Sequence, residues 1–174
     1  ATNYLPATPD ALVLGIEITQ NTQGLTVELP KGRSGRYQLA NDILVLDETY
    51  NAGLESTIAA VELLKQTPGK RHIAVLGTMK ELGERSQQLH YRVGEKVKEL
   101  NIDRLFVLVD EPATEAIINA AAGINTESFS DRDTLVQRLS EIVQPGDRFL
   151  FKASNSVGLN KVVEQFCDRL KAND

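Results

Sequence analysis

The sequence has one cysteine, two histidines and no tryptophan. A single thiol cannot close an internal disulfide, and Cys167, among apolar helix positions, reads as a buried thiol in a reducing compartment. Without a cluster of Cys and His there is no support for a zinc site. His90 lies within a helical pattern beside its apolar stripe and reads as structural, and no nucleophile, base and orienter set is visible. No G-x-x-x-x-G-K-[ST] loop occurs; the nearest glycine-lysine pair, Gly69-Lys70, runs into Arg71, so a complete P-loop ATPase is excluded. No apolar run is long enough to cross a bilayer, which argues against membrane insertion. The formal net charge of −5, with no Lys/Arg cluster, argues against a nucleic-acid partner. No charged-then-apolar export signal is found, so the expected compartment is the cytoplasm. Internal repeats and low-complexity segments are also missing.

What is present organises itself around Ile43 to Leu64. Four apolar residues, Ile43 to Leu46, stop at Asp47 and Glu48. After a polar turn, Leu54, Ile58, Val61 and Leu64 fall on one helical stripe. A short all-apolar run suits a strand covered on both faces, as in a parallel sheet, where ligands collect at the carboxyl ends of strands. Asp47, Tyr50 and Asn51 stand at such an end and offer an acceptor, a stacking surface and an amide, suited to a sugar and a base.

The same alternation continues along the chain. Strands are expected at Tyr37–Leu39, Ile73–Leu76, Leu105–Val109, Ser128–Phe129 and Phe149–Phe151. Helices are expected from about Leu54 to Lys65, Glu84 to Leu100 (stripe Leu89, Val93, Val97, Leu100), Ala113 to Ala122, around Leu135–Ile142 behind a Ser130 or Asp131 cap, and from Leu159 to Leu170. This predicts an α/β, Rossmann-like three-layer domain with a mainly parallel sheet and helices on both faces. Residues 1–29 differ in character: a helix too short to stand alone, then the alternating Leu25, Val27 and Leu29. They read as the tail of a preceding domain, followed by a basic, glycine-rich joint from Pro30 to Gly35.

Three strand ends carry chemistry-bearing residues and would share one sheet edge. They are Asp47 to Ala52; the loop Gly77-Thr78-Met79-Lys80-Glu81-Leu82-Gly83; and Lys152-Ala153-Ser154-Asn155-Ser156-Val157-Gly158, which leads into a helix amino terminus suited to an anion. Each has an ordinary reading as well. An aspartate after a strand is often a turn former, a lysine a solvated charge, and a serine or asparagine a helix cap.

Together these stretches resemble the carboxyl-terminal domain of the Mur ligases, most closely the member that adds D-alanyl-D-alanine to UDP-N-acetylmuramoyl-tripeptide. DETYNA at 47–52 is similar to the family's acidic pair followed by Ser-Tyr-Asn-Ala-Asn. LGTMKELGERSQQLHYRVG at 76–94 is similar to its Gly-Asp-Met, one residue, Glu-Leu-Gly, then Ser, His and Val-Gly. FLFKASNS at 149–156 is similar to a late strand ending in Lys-Gly-Ser. The resemblance implies a ligase of three domains, with residues 1–29 the remnant of the central ATPase domain plus linker, and 30–174 the carboxyl-terminal domain.

It implies further that the phosphate loop, the Mg2+ ligands and the UDP-sugar site lie in the amino-terminal and central domains, so this chain would be inactive alone. The intact enzyme would use ATP to convert a peptide carboxylate to an acyl phosphate for attack by the dipeptide amine, in peptidoglycan synthesis. Carried over by position, Arg33 would reach ATP phosphate, Asp47 the ribose hydroxyls, and Tyr50 and Asn51 the adenine. Thr78, Met79, Lys152, Ser154 and Asn155 would lie toward the acceptor. The sequence departs from the family at Thr78, where the pattern has Asp, and at Ala153, where it has Gly. Alternatives are a sister Mur ligase or folylpolyglutamate synthase domain, and a non-enzymatic Rossmann-like nucleotide-binding module.

Overall fold

The computed structural model describes residues 34–173; the expectations for residues 1–29 and for Arg33 fall outside the described residues. Six strands form one sheet: β1 (Gly35–Leu39), β2 (Ile43–Glu48), β3 (Arg71–Gly77), β4 (Arg104–Leu108), β5 (Thr126–Phe129) and β6 (Asp147–Lys152), in the order β1-β2-β6-β3-β4-β5. All neighbours are parallel except β1 and β2, which form an antiparallel hairpin. Asn41 and Asp42 turn that hairpin at φ of 63° and 58°, a left-handed conformation that Asn and Asp tolerate better than most residues.

The helices are α1 (Leu54–Gln66), α2 (Ser86–Glu99), α3 (Glu115–Ala120), α4 (Arg132–Ile142) and α5 (Leu159–Ala172). Side chains alternate across each strand, so one apolar run feeds two cores. Leu44, Leu46, Ala74, Leu76, Leu105, Val107 and Leu150 pack beneath α1, α2 and α3 through Val61, Leu64, Val93, Val97 and Ile117. Ile43, Val45, Ile73, Val75, Phe106, Phe149 and Phe151 pack on the other face under α4 and α5 through Leu135, Leu139, Val162 and Phe166. Three layers result, as the alternation predicts.

The helix predicted over Glu84–Leu100 begins with a short 3-10 turn at Gly83–Arg85; Val93 and Val97 of its predicted stripe are buried, Leu89 and Leu100 pack half-buried against the same core, and His90 and Gly94 are buried beside them. Gly94 adds a close approach to the next helix. A Cβ there would lie 2.2 Å from the Ile117 carbonyl oxygen and 2.7 Å from the Ala120 Cβ, so α2 and α3 meet backbone to backbone along this line. The predicted Ala113–Ala122 helix is likewise split into a 3-10 turn at Pro112–Thr114 and the six-residue α3. Asp131 caps α4, its carboxylate accepting from the backbone N–H groups of Asp133 and Thr134.

Candidate functional site

In the sheet register, Glu48 stands opposite Lys152, and Lys152 opposite Leu76. The ends of β2, β6 and β3 are therefore immediate neighbours, with β6 in the middle, although they lie far apart in sequence. The loops that follow meet on one edge, the carboxyl edge of the parallel strands, where ligands bind in open α/β sheets.

On the β2 side, Asp47 continues the Ile43 and Val45 face and is 3% exposed. Its Oδ1 accepts from the Thr49 N–H at 3.1 Å and the Thr49 hydroxyl at 2.6 Å, which fixes the turn out of the strand. Asp47 also lines a groove of about 240 Å³ against α5, with Tyr37, Asn160, Glu164 and Lys171. Cys167 lines the same groove; burial pushes its thiol up to about 11, so it is an inert packing residue at neutral pH. Asn51 is exposed at the tip, its Oδ1 accepting from the Ala52 N–H at 2.9 Å, and Tyr50 is half-buried beside it.

On the β3 side, burial separates the residues predicted to face a ligand. Met79 is 1% exposed and belongs to the core beneath α1, where its sulfur accepts from the Thr57 hydroxyl at 3.7 Å. It packs and anchors the loop, leaving its side chain no surface to offer. The Met79 N–H donates to His90 Nε2 at 2.9 Å, while His90 Nδ1 donates to the Ser86 carbonyl at 2.7 Å. A ring that accepts at Nε2 and donates at Nδ1 is neutral. Burial drives its pKa below the usual histidine value, with the Ser86 carbonyl and the charges of Glu111 and Asp110 pulling weakly upward. His90 is structural, as its position suggests, because it holds the loop after β3.

Thr78 is fully buried, and its hydroxyl bonds Asp110 and Thr114. A carboxylate at position 78 would face that of Asp110, so threonine suits this edge. Lys80 projects outward and pairs with Asp110 at 2.9 Å and Glu111 at 2.8 Å. Bonds to Glu111 and Asp110 raise the Lys80 pKa. Burial pulls Asp110 upward, but the Thr78 hydroxyl and the Lys80 ammonium outweigh it and hold the carboxyl below its usual range. The end of β4 is thus a fourth polar tip that sequence reasoning missed. Its only sequence signal is an Asp-Glu pair closing an apolar run, the same pattern that marks Asp47-Glu48.

On the β6 side, Lys152 is 5% exposed, and its ammonium donates to the Asn51 carbonyl at 2.7 Å and the Glu48 carbonyl at 3.5 Å. Burial lowers its pKa, opposed by the charge of Glu48. Ser154 is 6% exposed; its N–H donates to the Thr78 carbonyl at 3.0 Å and its hydroxyl accepts from the Lys80 N–H at 2.8 Å. Asn155 is exposed. The methyl of Ala153 is fully buried in the core under α4 and α5, so this departure from the Lys-Gly-Ser pattern leaves the polar edge unobstructed. Gly158 enters α5 at φ 83° with Arg132 packed against it; a Cβ there would sit 2.4 Å from the guanidinium. A cleft of about 390 Å³ beside it is lined by Asp110, Ser130, Asp131, Arg132, Asp133 and Ser156, among others.

Among the described residues no helix is long and apolar enough to cross a membrane. The edge brings together Asp47, Tyr50, Asn51, Lys152, Ser154 and Asn155, adds Lys80, Asp110 and Glu111, and leaves Thr78 fully buried beneath it and Met79 in the core.

Comparison with known proteins gives this edge a context. A UDP-N-acetylmuramoyl-tripeptide–D-alanyl-D-alanine ligase of Synechocystis is 57% identical over 165 residues, covering 95% of this chain and 36% of the relative. The enzyme of the same name from Escherichia coli is 34% identical, covering 92% and 35%. This chain spans about a third of the length of the curated relatives it matches. Among solved structures, the MurF ligase of Thermotoga maritima in complex with ADP superposes with a TM-score of 0.73 at 34% identity, over 86% of this chain and 33% of that one. The model of the family described as Mur ligase, glutamate ligase domain, matches residues 32–155. On a match spanning most of the sequence and all four polar strand tips, the chain belongs to the Mur ligase family and carries its glutamate ligase domain.

Proposed function

We propose that this chain is the nucleotide- and acceptor-binding domain of an ATP-dependent ligase that joins D-alanyl-D-alanine to UDP-N-acetylmuramoyl-tripeptide in peptidoglycan synthesis. The observation that carries the reading is the side-by-side register of Glu48, Lys152 and Leu76, which gathers three family signatures into one edge. The relatives at 57% and 34% identity bear that ligase's name, and the Thermotoga maritima neighbour binds ADP. In this reading residues 30–174 form the third domain, residues 1–29 belong to the central domain and its linker, and the protein works in the cytoplasm.

The residues present suit a nucleoside on the β2 side. Asp47 supplies a carboxylate with a second oxygen beyond the one that caps Thr49, which fits a pair of ribose hydroxyls, and Tyr50 and Asn51 supply a ring and an amide for a base. Arg33 is assigned to phosphate through its guanidinium. On the other side, Lys80 and Asn155 frame the acceptor, with Thr78, Ser154 and Lys152 behind them. ATP, when bound, supplies the phosphoryl group that activates the peptide carboxylate. In this reading the Mg2+ ligands belong to the central domain, as the family resemblance implies.

The full-length protein, given ATP, UDP-N-acetylmuramoyl-tripeptide and D-alanyl-D-alanine, is expected to release phosphate only when all three are present. Release that depends on glutamate instead of the dipeptide would place it with a sister ligase. Asp47→Ala is expected to raise the KM for ATP by about 10- to 100-fold, the loss of a charge-assisted hydrogen bond, and to leave the KM for dipeptide near its original value. An equal effect on both substrates would remove the ribose assignment.

A further inference from the structure

Two residues at and just past the end of the middle strand hold main-chain atoms of both neighbouring loops. Lys152 reaches to one flank. Among the described residues its ammonium has two partners, the carbonyls of Asn51 and Glu48, and no ion pair. Ser154 reaches to the other, bonded through its N–H to the Thr78 carbonyl and through its hydroxyl to the Lys80 N–H. Burying an ammonium is expensive, and an apolar side chain would fill the same space at lower cost. What the charge provides at this place is a fixed direction for two carbonyl groups in the turn that carries Tyr50 and Asn51. Both residues are at most 6% exposed, so their effect on a ligand passes through the loops they grip.

We infer that Lys152 and Ser154 are positioning residues that together set the spacing between the Glu48–Asn51 turn and the Thr78–Lys80 loop, holding the two sides of the edge as one piece. The assignment of one side to nucleotide and the other to acceptor rests on the proposed function; the clamp itself rests on three side-chain hydrogen bonds and the backbone bond from the Ser154 N–H. Its chemistry explains why a lysine and a serine occupy alternate positions. Lys152 needs length to cross to the β2 turn, whereas Ser154 needs only a short hydroxyl to meet a backbone N–H already beside it.

The test is amide hydrogen exchange by mass spectrometry on the full-length protein, together with steady-state kinetics, for Lys152→Met, Lys152→Arg and Ser154→Ala. In the ligand-free protein, Lys152→Met is expected to speed exchange in residues 49–53 by about tenfold while residues 77–83 keep their protection, and Ser154→Ala to do the reverse. Lys152→Arg, which keeps a cation that can meet both carbonyls, is expected to restore protection in 49–53. In kinetics, Lys152→Met is expected to raise the KM for ATP about tenfold with little change for the dipeptide.

Unchanged exchange in 49–53 in the folded Lys152→Met protein, with ligand binding lost, would make the lysine a direct ligand contact and overturn the inference. If Lys152→Met does not fold, Ser154→Ala decides alone, since unchanged protection of 77–83 would remove the clamp. Wild-type protein with no ligase activity would defeat the proposed function, yet the exchange pattern would still decide the positioning role.

Discussion

The two ends of the parallel strands use the same residue types to opposite effect. At the amino end, Arg71 forms a two-pronged pair with Asp147, Nε to Oδ1 at 2.8 Å and Nη2 to Oδ2 at 2.7 Å, and also donates to the Ile142 carbonyl. Asp147 is fully buried, and it accepts from the Gln144 N–H as well. Arg148 bonds the Pro68 carbonyl and the Asp42 carboxylate. Apart from Asp42, whose side chain is exposed, these charges are consumed internally, fastening the segments Pro68–Arg71 and Ile142–Asp147 to the sheet. At the carboxyl end, Lys80, Asp110 and Glu111 keep side-chain exposures of 26%, 37% and 41% while pairing with each other. The buried Arg71–Asp147 pair belongs to the scaffold, and the exposed Lys80, Asp110 and Glu111 stand where the proposed acceptor side would meet a ligand.

This contrast is open to breaking, beginning at the closed end. Arg71→Met would leave the Asp147 carboxylate buried without its partner, and a loss of about 3 kcal/mol or more in unfolding free energy is expected by urea denaturation, with substrate KM values unmoved. A loss under about 1 kcal/mol would mean that the pair fastens little.

His90 tests the fixture beneath the rim. Its folded-state pKa lies below the unfolded value of about 6.5, so its contribution is complete above that pH and drains away as pH falls below it, at up to about 1.4 kcal/mol per pH unit. Urea midpoints from pH 7.5 down to 5.5 are expected to fall more steeply for the wild type than for His90→Gln, which is less stable at neutral pH and lacks this titration. Parallel curves for the two proteins would show that the imidazole stays out of the linkage. The smallest stability effect is expected at the rim, where Lys80→Met should cost less than about 1 kcal/mol because the pair is solvent-exposed. That same change should raise the KM for the acceptor several-fold, and a large stability loss would move Lys80 to the scaffold side of the comparison.

Much of this architecture was legible in the sequence because strands buried on both faces read as unbroken apolar runs. Ile43–Leu46, Ile73–Leu76, Leu105–Val109 and Phe149–Phe151 needed no tertiary information to be found, and their alternation with helical stripes implied the parallel sheet. Packing was harder to read. The stripe Leu89, Val93, Val97 and Leu100 does face the core, but how closely α3 approaches is set by Gly94, and a glycine carries no apolar signal. Met79 sits in a loop by sequence and in the core by geometry. The partnership of Thr78 and Lys80 with Asp110 and Glu111 spans about thirty positions, beyond the reach of any local pattern. In each case the missing information was how distant segments pack against one another.

The outer margins of the sheet carry a separate consequence. A terminal strand displays unpaired backbone donors and acceptors that invite another molecule's strand to add on. At β5, Arg104 and Arg138 converge on Glu127 at 2.7 Å and 2.9 Å, leaving a knot of charge where a newcomer would need a dry surface. Covering those charges with an incoming strand would cost desolvation, so the margin resists edge-to-edge growth into ribbons.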